Sequence, residues 1–393
     1  LSLLLFAALA MMFMASATDF LMIFLATEFA SIVSYILVGF LRRDLKSNEA
    51  AVKYFLVGSF CAAIMLYGIS LVYGLTGSTH IAVVGEVVGG ELEHGLLLTI
   101  AVFCILAGLG FKIAMAPFHF WAPDAFEGAP TPVTAFISVA PKAAGLAVLL
   151  RVFCVALPLA DVNAQTALAV LSAVTMTVGN LMAIPQNNVK RLFAYSSIAH
   201  IGYILIGLVV ADQIGLEGVL IYVLAYVFMN LGAFACVIAI SNRIGSDDIT
   251  NYGGISERSM PLALIFIVFL LSLAGLPPTA GFVGKFVVFA AAIKTGYVWL
   301  AVIAIMNSVI SVYYYFRIAY YMYFKPAKET ASLEVSESLK FALTVTLGMT
   351  LLIGILPSRF LVNARAAVHS AVSSQPAPPT LDIKTIQALD VRP

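Results

Sequence analysis

The chain has little charge: Lys, Arg, Asp and Glu make up 10% of its 393 residues, whereas hydrophobic residues make up 62%. Soluble domains carry about 25% charged residues, so this composition excludes an ordinary soluble protein. Nucleic acid is excluded as a partner, because the net charge is only +1 and the basic residues are scattered through short loops. The composition predicts a membrane protein with many spans.

Cysteine and histidine are scarce as well. The four cysteines, Cys61, Cys104, Cys154 and Cys236, lie far apart inside apolar runs without any CxxC pair. Iron–sulfur ligation, structural zinc and a disulfide framework therefore have no basis in the sequence. His200 is the only histidine in the middle of an apolar run, which leaves a haem without a paired ligand. Because no glycine-rich nucleotide loop is present either, we expect no cofactor in this chain.

Apolar runs of spanning length predict about eleven transmembrane helices. The first run starts at Leu1 without an initiator Met, a basic region or a convincing cleavage site, so we expect an incomplete N-terminus rather than a signal peptide. The predicted spans are 1–16, 19–41, 50–76, 95–117, 131–157, 165–184, 192–211, 215–241, 259–294, 297–324 and 337–357.

Charges in the connecting loops predict how these spans are oriented. If the spans alternate strictly, one set of loops holds nearly all the basic residues, and the other holds Lys294 and the acidic stretch 77–94 with Glu86, Glu91 and Glu93. The positive-inside rule places the basic set in the cytoplasm. Its residues are Arg42, Arg43, Lys46, Lys53, Lys190, Arg191, Arg243, Arg258, Lys325 and Lys328.

Two of the spans are interrupted by proline and glycine, the first over 117–132 and the second at Gly275, Pro277 and Pro278. Broken helices are tolerated at membrane depth where they line a cavity, although an ordinary loop between two helices is the alternative for 117–132. The breaks are five spans apart. Because five is odd, a second five-span unit would enter the membrane in the opposite orientation, as inverted repeats do.

This layout predicts an all-α polytopic membrane protein of about eleven transmembrane helices. It contains two inverted five-helix repeats, each with a broken helix, and an additional C-terminal helix. The predicted units are 1–157 for the first five-helix unit, 158–324 for the second, 325–357 for the additional transmembrane helix and 358–393 for a C-terminal tail.

Four ionisable residues lie inside the apolar runs: Glu28, Lys112, Lys142 and Lys285. Lys142 is roughly 16 Å from one end of its run, near the membrane midplane, where an ammonium group costs at least a few kcal/mol. Glu28 is also near the midplane, and Lys112 is its natural partner. Lys142 and Lys285 have no obvious local acid, which suits them to exchange protons with water chains. The alternatives are a static Glu28–Lys112 pair and lysines that snorkel to the surface.

His200 lies among Ser196, Ser197 and Tyr203. Imidazole passes protons near neutral pH, so we include His200 in the predicted proton pathway. A hydrogen-bonded core histidine fits the same residues equally well.

Other charged or titratable residues lie near the predicted membrane surface. We interpret His119, Asp124 and Glu127, in the first broken segment, as helix caps or rim residues. Lys190 and Arg191 are interpreted as cytoplasmic anchors.

Three long motifs resemble the antiporter-like membrane subunits of the proton-pumping NADH:quinone oxidoreductase, respiratory complex I, and among them the N type. They are GFKIAMAPFHFWAPDAFEGAPTPVTAFISVAPKAAG at 110–145, NVKRLFAYSSIAHIGY at 188–203 and LAGLPPTAGFVGKF at 273–286. The resemblance covers residues 1 to about 357.

The resemblance implies two inverted five-helix units, no redox centre, and a proton pathway through Glu28, Lys112, Lys142 and Lys285. NADH, FMN, iron–sulfur clusters and quinone would then be held by partner subunits. The partners would be other membrane subunits, through them the hydrophilic redox arm, and lipids. A full family member has fourteen helices, so the first three are either truncated here or naturally absent.

Two other functions remain compatible with the residues: a subunit of a Mrp-type cation/proton antiporter, and a membrane scaffold whose buried charges are static. We expect a bacterial inner (plasma) membrane location, or another energy-transducing membrane. The segments 112–130 and 273–285 should both leave helical geometry. The four ionisable groups should form one buried polar file, with His200 between Lys142 and Lys285.

Overall fold

The computed structural model describes residues 1–90, 95–157, 162–327, 333 and 335–373. Within these ranges the regular secondary structure is helical, apart from two isolated β-bridges. The all-α polytopic fold predicted from the sequence is confirmed. Glu91, Glu93 and Lys328 of the predicted loops, and residues 374–393 of the predicted tail, lie outside the described residues.

Sixteen α-helices run through the described residues, with a π-helical turn at Val152–Ala156 and a 3-10 turn at Ile249–Tyr252. They are α1 (Ser2–Ser16), α2 (Phe20–Val38), α3 (Leu45–Thr76), α4 (Ile81–Gly89), α5 (Leu96–Ile113), α6 (Trp121–Gly128), α7 (Thr131–Arg151), α8 (Val162–Ala183), α9 (Val189–Val210), α10 (Gln213–Ile244), α11 (Ile255–Arg258), α12 (Met260–Ala274), α13 (Ala280–Lys294), α14 (Val298–Phe324), α15 (Glu337–Ile355) and α16 (Pro357–Ser373).

Each of the eleven predicted spans has a helical counterpart. Nine helices in the described ranges are long and apolar enough to cross a membrane, and α1 and α12 are shorter apolar helices. The span predicted over 259–294 consists of α12 and α13 with a break between them. The predicted tail begins with a helix, α16, whose hydrophobic and polar residues segregate to different faces.

Asp or Asn side chains cap the starts of α2, α3, α9 and α10, and glycines end α3 and α10, the two longest helices. Asp19 accepts hydrogen bonds from the backbone N–H groups at the start of α2, and Asn188 does so at the start of α9. Gly77 and Gly245 take left-handed backbone conformations at the ends of α3 and α10, with φ of 70° and 71°. These local signals set where the chain turns back.

The loop at Asp19 and the loop at Asn188 each pair with a second loop, and the two pairings have the same pattern. In each case the loop before the helix forms an antiparallel bridge with the loop after the next helix, Asp19 with His80 and Asn188 with Asp248. The backbone bonds are Phe20 N to Thr79 O at 2.8 Å and Ile81 N to Thr18 O at 3.0 Å in the first pair, and Val189 N to Asp247 O at 2.8 Å and Ile249 N to Asn187 O at 2.9 Å in the second. The same loop pairing thus occurs twice, and the division into units at 1–157 and 158–324 stays a prediction.

Helix α9 lies at the centre of the bundle. Every residue of its apolar window is buried, and it packs against α6, α7, α8, α10, α13 and α14. Because α9 contacts no lipid-facing space, its Lys190, Ser196, Ser197 and His200 must find partners inside the protein. The polar interior of the molecule is therefore organised around this helix.

An ion-pair cluster ties α6 to α3 and α9 at one end of the bundle. Asp124 pairs with Lys53 at 2.9 Å and with Arg191 at 2.6 Å, and Glu127 pairs with Lys46 at 3.1 Å and Arg191 at 3.2 Å. Burial alone would raise the pKa of Asp124, but the hydrogen bonds from Lys53 and Arg191 outweigh it and hold that pKa below its usual range. Asp124 and Glu127 thus face the rim, as predicted.

The interpretation of Lys190 and Arg191 as cytoplasmic anchors stays a prediction, but Lys190 is not a surface residue. Lys190 is only 6% exposed, donates to Ala129 O at 3.1 Å and pairs with Asp247 at 3.0 Å. The pair joins the start of α9 to the loop after α10. Together with the Asp124 and Glu127 ion pairs, it brings three of the predicted cytoplasmic connections, those at Lys46–Lys53, at Lys190–Arg191 and after α10, to one end of the bundle.

Asp124→Asn should lower the free energy of unfolding by about 1 kcal/mol, because it removes the charge that two cations share. Since the folded-state pKa is lowered, this stabilisation is complete above the ordinary Asp value of about 3.9 and is lost as pH falls below it. Thermal unfolding of the purified protein at pH 7 measures the effect. Lys46→Ala, at a 71% exposed side chain with one pairing, is the control and should cost less than about 0.5 kcal/mol. Equal effects of the two variants would contradict this prediction.

Candidate functional site

The first predicted break separates α5 from α6. Helix α5 ends at Ile113, Ala114 has a left-handed backbone with φ of 61°, and regular helix resumes at Trp121. Two freed backbone groups find side-chain partners: Ala116 N donates to Thr175 Oγ1 at 3.1 Å, and Phe111 O accepts from Trp121 Nε1 at 3.0 Å. The segment leaves helical geometry as predicted, and its backbone is held by the protein rather than by lipid.

The second predicted break separates α12 from α13. Helix α12 ends at Ala274, Gly275 is left-handed with φ of 87°, and α13 starts at Ala280. The backbone N–H of Gly281 donates to Ser272 Oγ at 3.1 Å across the break. Both predicted breaks are therefore present, each with a hydroxyl group that accepts from a freed N–H.

The Lys285 ammonium fills the carbonyl end of α12. Its Nζ donates to Leu273 O at 3.2 Å and Ala274 O at 2.8 Å, and to Ser308 Oγ of α14 at 2.9 Å. The Tyr203 ring lies beneath it, with 4.9 Å from Nζ to the ring centroid. The negative end of the α12 dipole and the ring face both favour a cation here.

Lys112 occupies a comparable place in the first unit. It lies in the last turn of α5, is fully buried, and donates to Ser31 Oγ of α2 at 3.0 Å. In the sequence Lys112 precedes its break whereas Lys285 follows its own. Lys285 reaches back across its break to the carbonyl end of α12, whereas the Lys112 ammonium bonds to α2.

Glu28 is less buried than expected and is not in direct contact with Lys112. It lies on α2, one turn before Ser31, and its side chain is half-buried. Among the described residues, the Lys112 ammonium is bonded to Ser31 and no ion pair joins it to Glu28. The two charges face the same part of the interior, with the Ser31 hydroxyl beside the ammonium.

Lys142 is buried between α7 and α9 and does not face lipid. Its Nζ donates to Ser197 Oγ at 2.6 Å and lies 5.6 Å from the centroid of the Phe126 ring. Lys142 is 1% exposed. The snorkelling alternative is therefore excluded by its position.

His200 lies between Lys142 and Lys285, as predicted. Its Nδ1 is 3.0 Å from Tyr222 Oη and its Nε2 is 3.3 Å from Tyr315 Oη. Tyr315 also shares a short hydrogen bond with Ser196, the neighbour of the Ser197 that Lys142 contacts. On the other side, the His200 and Tyr203 ring centroids are 6.0 Å apart, and Tyr203 faces Lys285.

The sequence reasoning missed most of the hydroxyl groups in this file. Ser31, Tyr222, Ser308 and Tyr315 lie on three different helices, α2, α10 and α14, and each touches one of the predicted residues. The available signal was weak: polar side chains inside apolar runs, such as Tyr315 in the aromatic stretch of α14. Helical spacing does not tell which face of that stretch is buried.

These features define a polytopic membrane protein with lysines at two helix breaks. Residues 17–311 match the NADH:quinone oxidoreductase/Mrp antiporter transmembrane family, and the chain belongs to that family. A relative from Trichlorobacter lovleyi, NADH-quinone oxidoreductase subunit N, is 47% identical over 369 residues, which cover 93% of this chain and 75% of the relative.

Two solved structures resemble the chain over most of its length. A chain of respiratory complex I from Thermus thermophilus with bound aureothin is 39% identical with a TM-score of 0.79, over 92% of this chain and 78% of that one. A chain of the Mrp complex from Dietzia sp. has a TM-score of 0.86 over 98% of this chain and 79% of that one, at 21% identity. The second likeness shows the fold alone.

Gly275→Ala should destabilise the second break. A Cβ there would lie 2.7 Å from Lys285 Cδ and 3.1 Å from Nζ, in addition to the strain of a positive φ. Gly296→Ala is the matched control, because Gly296 has φ of 90° but no atom within 4 Å of its would-be Cβ. We expect Gly275→Ala to cost about 1 kcal/mol more than the control in thermal unfolding. Indistinguishable losses would show that Lys285 is not held against this glycine.

Proposed function

We propose that this chain is a proton-translocating membrane subunit of respiratory complex I, of the subunit N type, and that quinone reduction elsewhere in the complex drives it. The observation that carries the proposal is the buried file from Lys142 through His200 to Lys285. Each of these groups can hold or pass a proton, and each is 3% exposed or less. Ionisable groups are costly to bury at membrane depth, and those found there usually serve a function such as ion or proton transport.

The hydrogen bonds around His200 supply part of a path for proton transfer. Lys142 bonds to Ser197, Ser196 to Tyr315, and Tyr315 to His200. Hydroxyl groups both donate and accept, and His200 can accept on one ring nitrogen and donate from the other, so each group can pass a proton to its bonded partner. Among the described residues no hydrogen bond joins Ser197 to Ser196 or His200 to Lys285, so a proton would cross these two gaps through water.

Lys112 and Glu28 would control the proton on the Lys142 side. The Lys112 stem packs near Gly145, one turn after Lys142 on α7. In the described residues no hydrogen bond joins the two lysines, so a transfer between them would run through water. Movement of the Glu28 charge would change how well Lys112 holds its proton, and this makes the pair a switch.

The chain has no energy source of its own in this proposal. NADH, FMN, iron–sulfur clusters and quinone would be held by partner subunits, and the partners would be other membrane subunits and, through them, the hydrophilic redox arm. Lipids would cover the apolar faces that remain. The relative from Trichlorobacter lovleyi is bacterial, so we propose the bacterial inner membrane as the location.

A Mrp-type cation/proton antiporter subunit is the second candidate. The Mrp chain shares the fold at 21% identity, whereas the complex I chain shares it at 39%. Purification in mild detergent separates the two functions. Recovery with flavin- and iron–sulfur-bearing subunits supports complex I, and recovery only with cation antiporter subunits supports the alternative.

Lys285→Gln and Lys142→Gln should each lower proton pumping by about tenfold or more while the complex still assembles. Glutamine keeps an N–H donor for the α12 carbonyls or Ser197 but carries no transferable proton, so it separates a relay from a static scaffold. Pumping is measured in membrane vesicles by a pH-sensitive dye. Lys294→Gln, at the exposed end of the same helix as Lys285, is the control and should pump normally. Wild-type pumping by both buried variants would favour the scaffold.

Glu28 and Lys112 should be energetically coupled. Attraction between charges in a low-dielectric interior does not need direct contact, so a double-mutant cycle of Glu28→Gln and Lys112→Gln should give about 0.5 to 3 kcal/mol from pumping rates. Glu28 with the exposed Lys294, outside the proposed pathway, is the control pair and should be additive within about 0.5 kcal/mol. If Glu28 and Lys112 are as additive as the control pair, they are separate sites.

A further inference from the structure

A second buried polar cluster lies next to the Lys285 site and centres on Asn180 of α8, which is fully buried. Its Nδ2 lies 2.8 Å from Met176 O, 2.9 Å from Tyr203 Oη and 3.2 Å from Asn307 Oδ1. Its Oδ1 accepts from Tyr314 Oη at 2.9 Å. One amide side chain therefore joins α8, α9 and α14.

Two of these contacts lead to groups that surround the Lys285 ammonium. Tyr203, bonded through its hydroxyl to Asn180, presents the ring face that lies 4.9 Å from the Lys285 ammonium. Asn307 is followed directly by Ser308, whose hydroxyl accepts from Lys285 at 2.9 Å. Asn307 is fixed further by its bond to Thr177 Oγ1 at 3.1 Å.

A buried amide is costly unless it is hydrogen-bonded, and an apolar side chain would pack between these helices without that cost. A fully bonded polar network, in contrast, holds its members in one arrangement. The Asn180 amide uses its N–H donors and its oxygen here, and none of its partners is ionisable near neutral pH. Its contacts are therefore suited to fixing position rather than to carrying a proton.

We propose that Asn180 is a positioning residue for Lys285: it holds the Tyr203 ring of α9 and the Asn307–Ser308 segment of α14 next to the ammonium group. The inference rests on the proposed function, in which Lys285 carries a proton. With the ring and hydroxyl fixed, the protonated lysine keeps a favourable site in the same place through each cycle.

The helices packed against α13 contribute other titratable groups near Lys285. Helix α9 contributes Tyr203 and His200, α10 contributes Tyr222, and α14 contributes Tyr314 and Tyr315. Helix α12 presents backbone carbonyl groups. The ionisable side chains of α15, Glu337 and Lys340, are at its exposed first turn.

The test uses the whole complex in membranes, with Asn180→Ala and Tyr203→Phe. The first variant removes all the side-chain hydrogen bonds of Asn180. The second removes only the Tyr203 hydroxyl and keeps the Tyr203 ring. Assembled complex is quantified by the oxidation of NADH with an artificial acceptor. We expect both variants to lower coupled quinone reduction by about threefold to tenfold. The alkaline limb of the pH–rate profile should move by about one pH unit to lower pH, a tenfold change in a protonation equilibrium.

Ser172→Ala is the matched control. Ser172 is a buried α8 residue whose hydroxyl bonds to Gly202 O of α9 at 2.7 Å and, among the described residues, makes no hydrogen bond to Asn180, Tyr203 or Lys285. Ser172→Ala should leave the pH–rate profile unchanged. Asn180→Ala would also leave it unchanged if Asn180 had a purely structural role, so an unchanged profile in assembled Asn180→Ala would overturn the inference. If Asn180→Ala does not assemble, an unchanged profile in Tyr203→Phe overturns it.

Lys285→Gln, measured in parallel, separates this inference from the proposed function. An inactive Lys285→Gln with unchanged Asn180 and Tyr203 variants means that only the positioning role is wrong. A Lys285→Gln variant that pumps at the wild-type rate means that the proposed function itself is wrong.

Discussion

The cost of leaving a polar group without a partner in hydrocarbon governs this structure. Intact helices meet that requirement with their own backbone bonds, but the two breaks cannot. At the first break Thr175 and Trp121 bond the freed backbone groups, and at the second Ser272 and Lys285 do so. Side chains from neighbouring helices are thus required at the breaks, and this is why polar residues converge there in an otherwise apolar protein.

The same requirement gives Lys285 two roles at once. Its ammonium satisfies the last carbonyls of α12, and it is also the group that we propose to carry a proton. Loss of the proton would weaken its interaction with the helix dipole, so protonation and the geometry of the break are linked. A static scaffold would need only the first role. Lys112, in the last turn of α5, instead bonds to the Ser31 hydroxyl of α2.

Helix α9 makes a single file possible. It is buried along its whole apolar window. Its Ser197 accepts a hydrogen bond from Lys142, and the ring of its Tyr203 faces Lys285. Its start is held at one end of the bundle by the Lys190–Asp247 and Arg191–Asp124 pairs. Helix α9 thus contacts groups around both lysines, and its position is fixed by charge at one end and by packing along its length.

The sequence by itself determined the spans, the two breaks and the four ionisable residues inside the membrane, because length, hydropathy and proline or glycine act locally along the chain. The tertiary structure alone decided which groups meet. It placed Ser31, and not Glu28, on the Lys112 ammonium, buried Lys190 against Asp247, and brought Asn180, Tyr203 and Asn307 around Lys285. Such contacts join residues far apart in the chain. They depend on how helices rotate and cross, which no local pattern specifies.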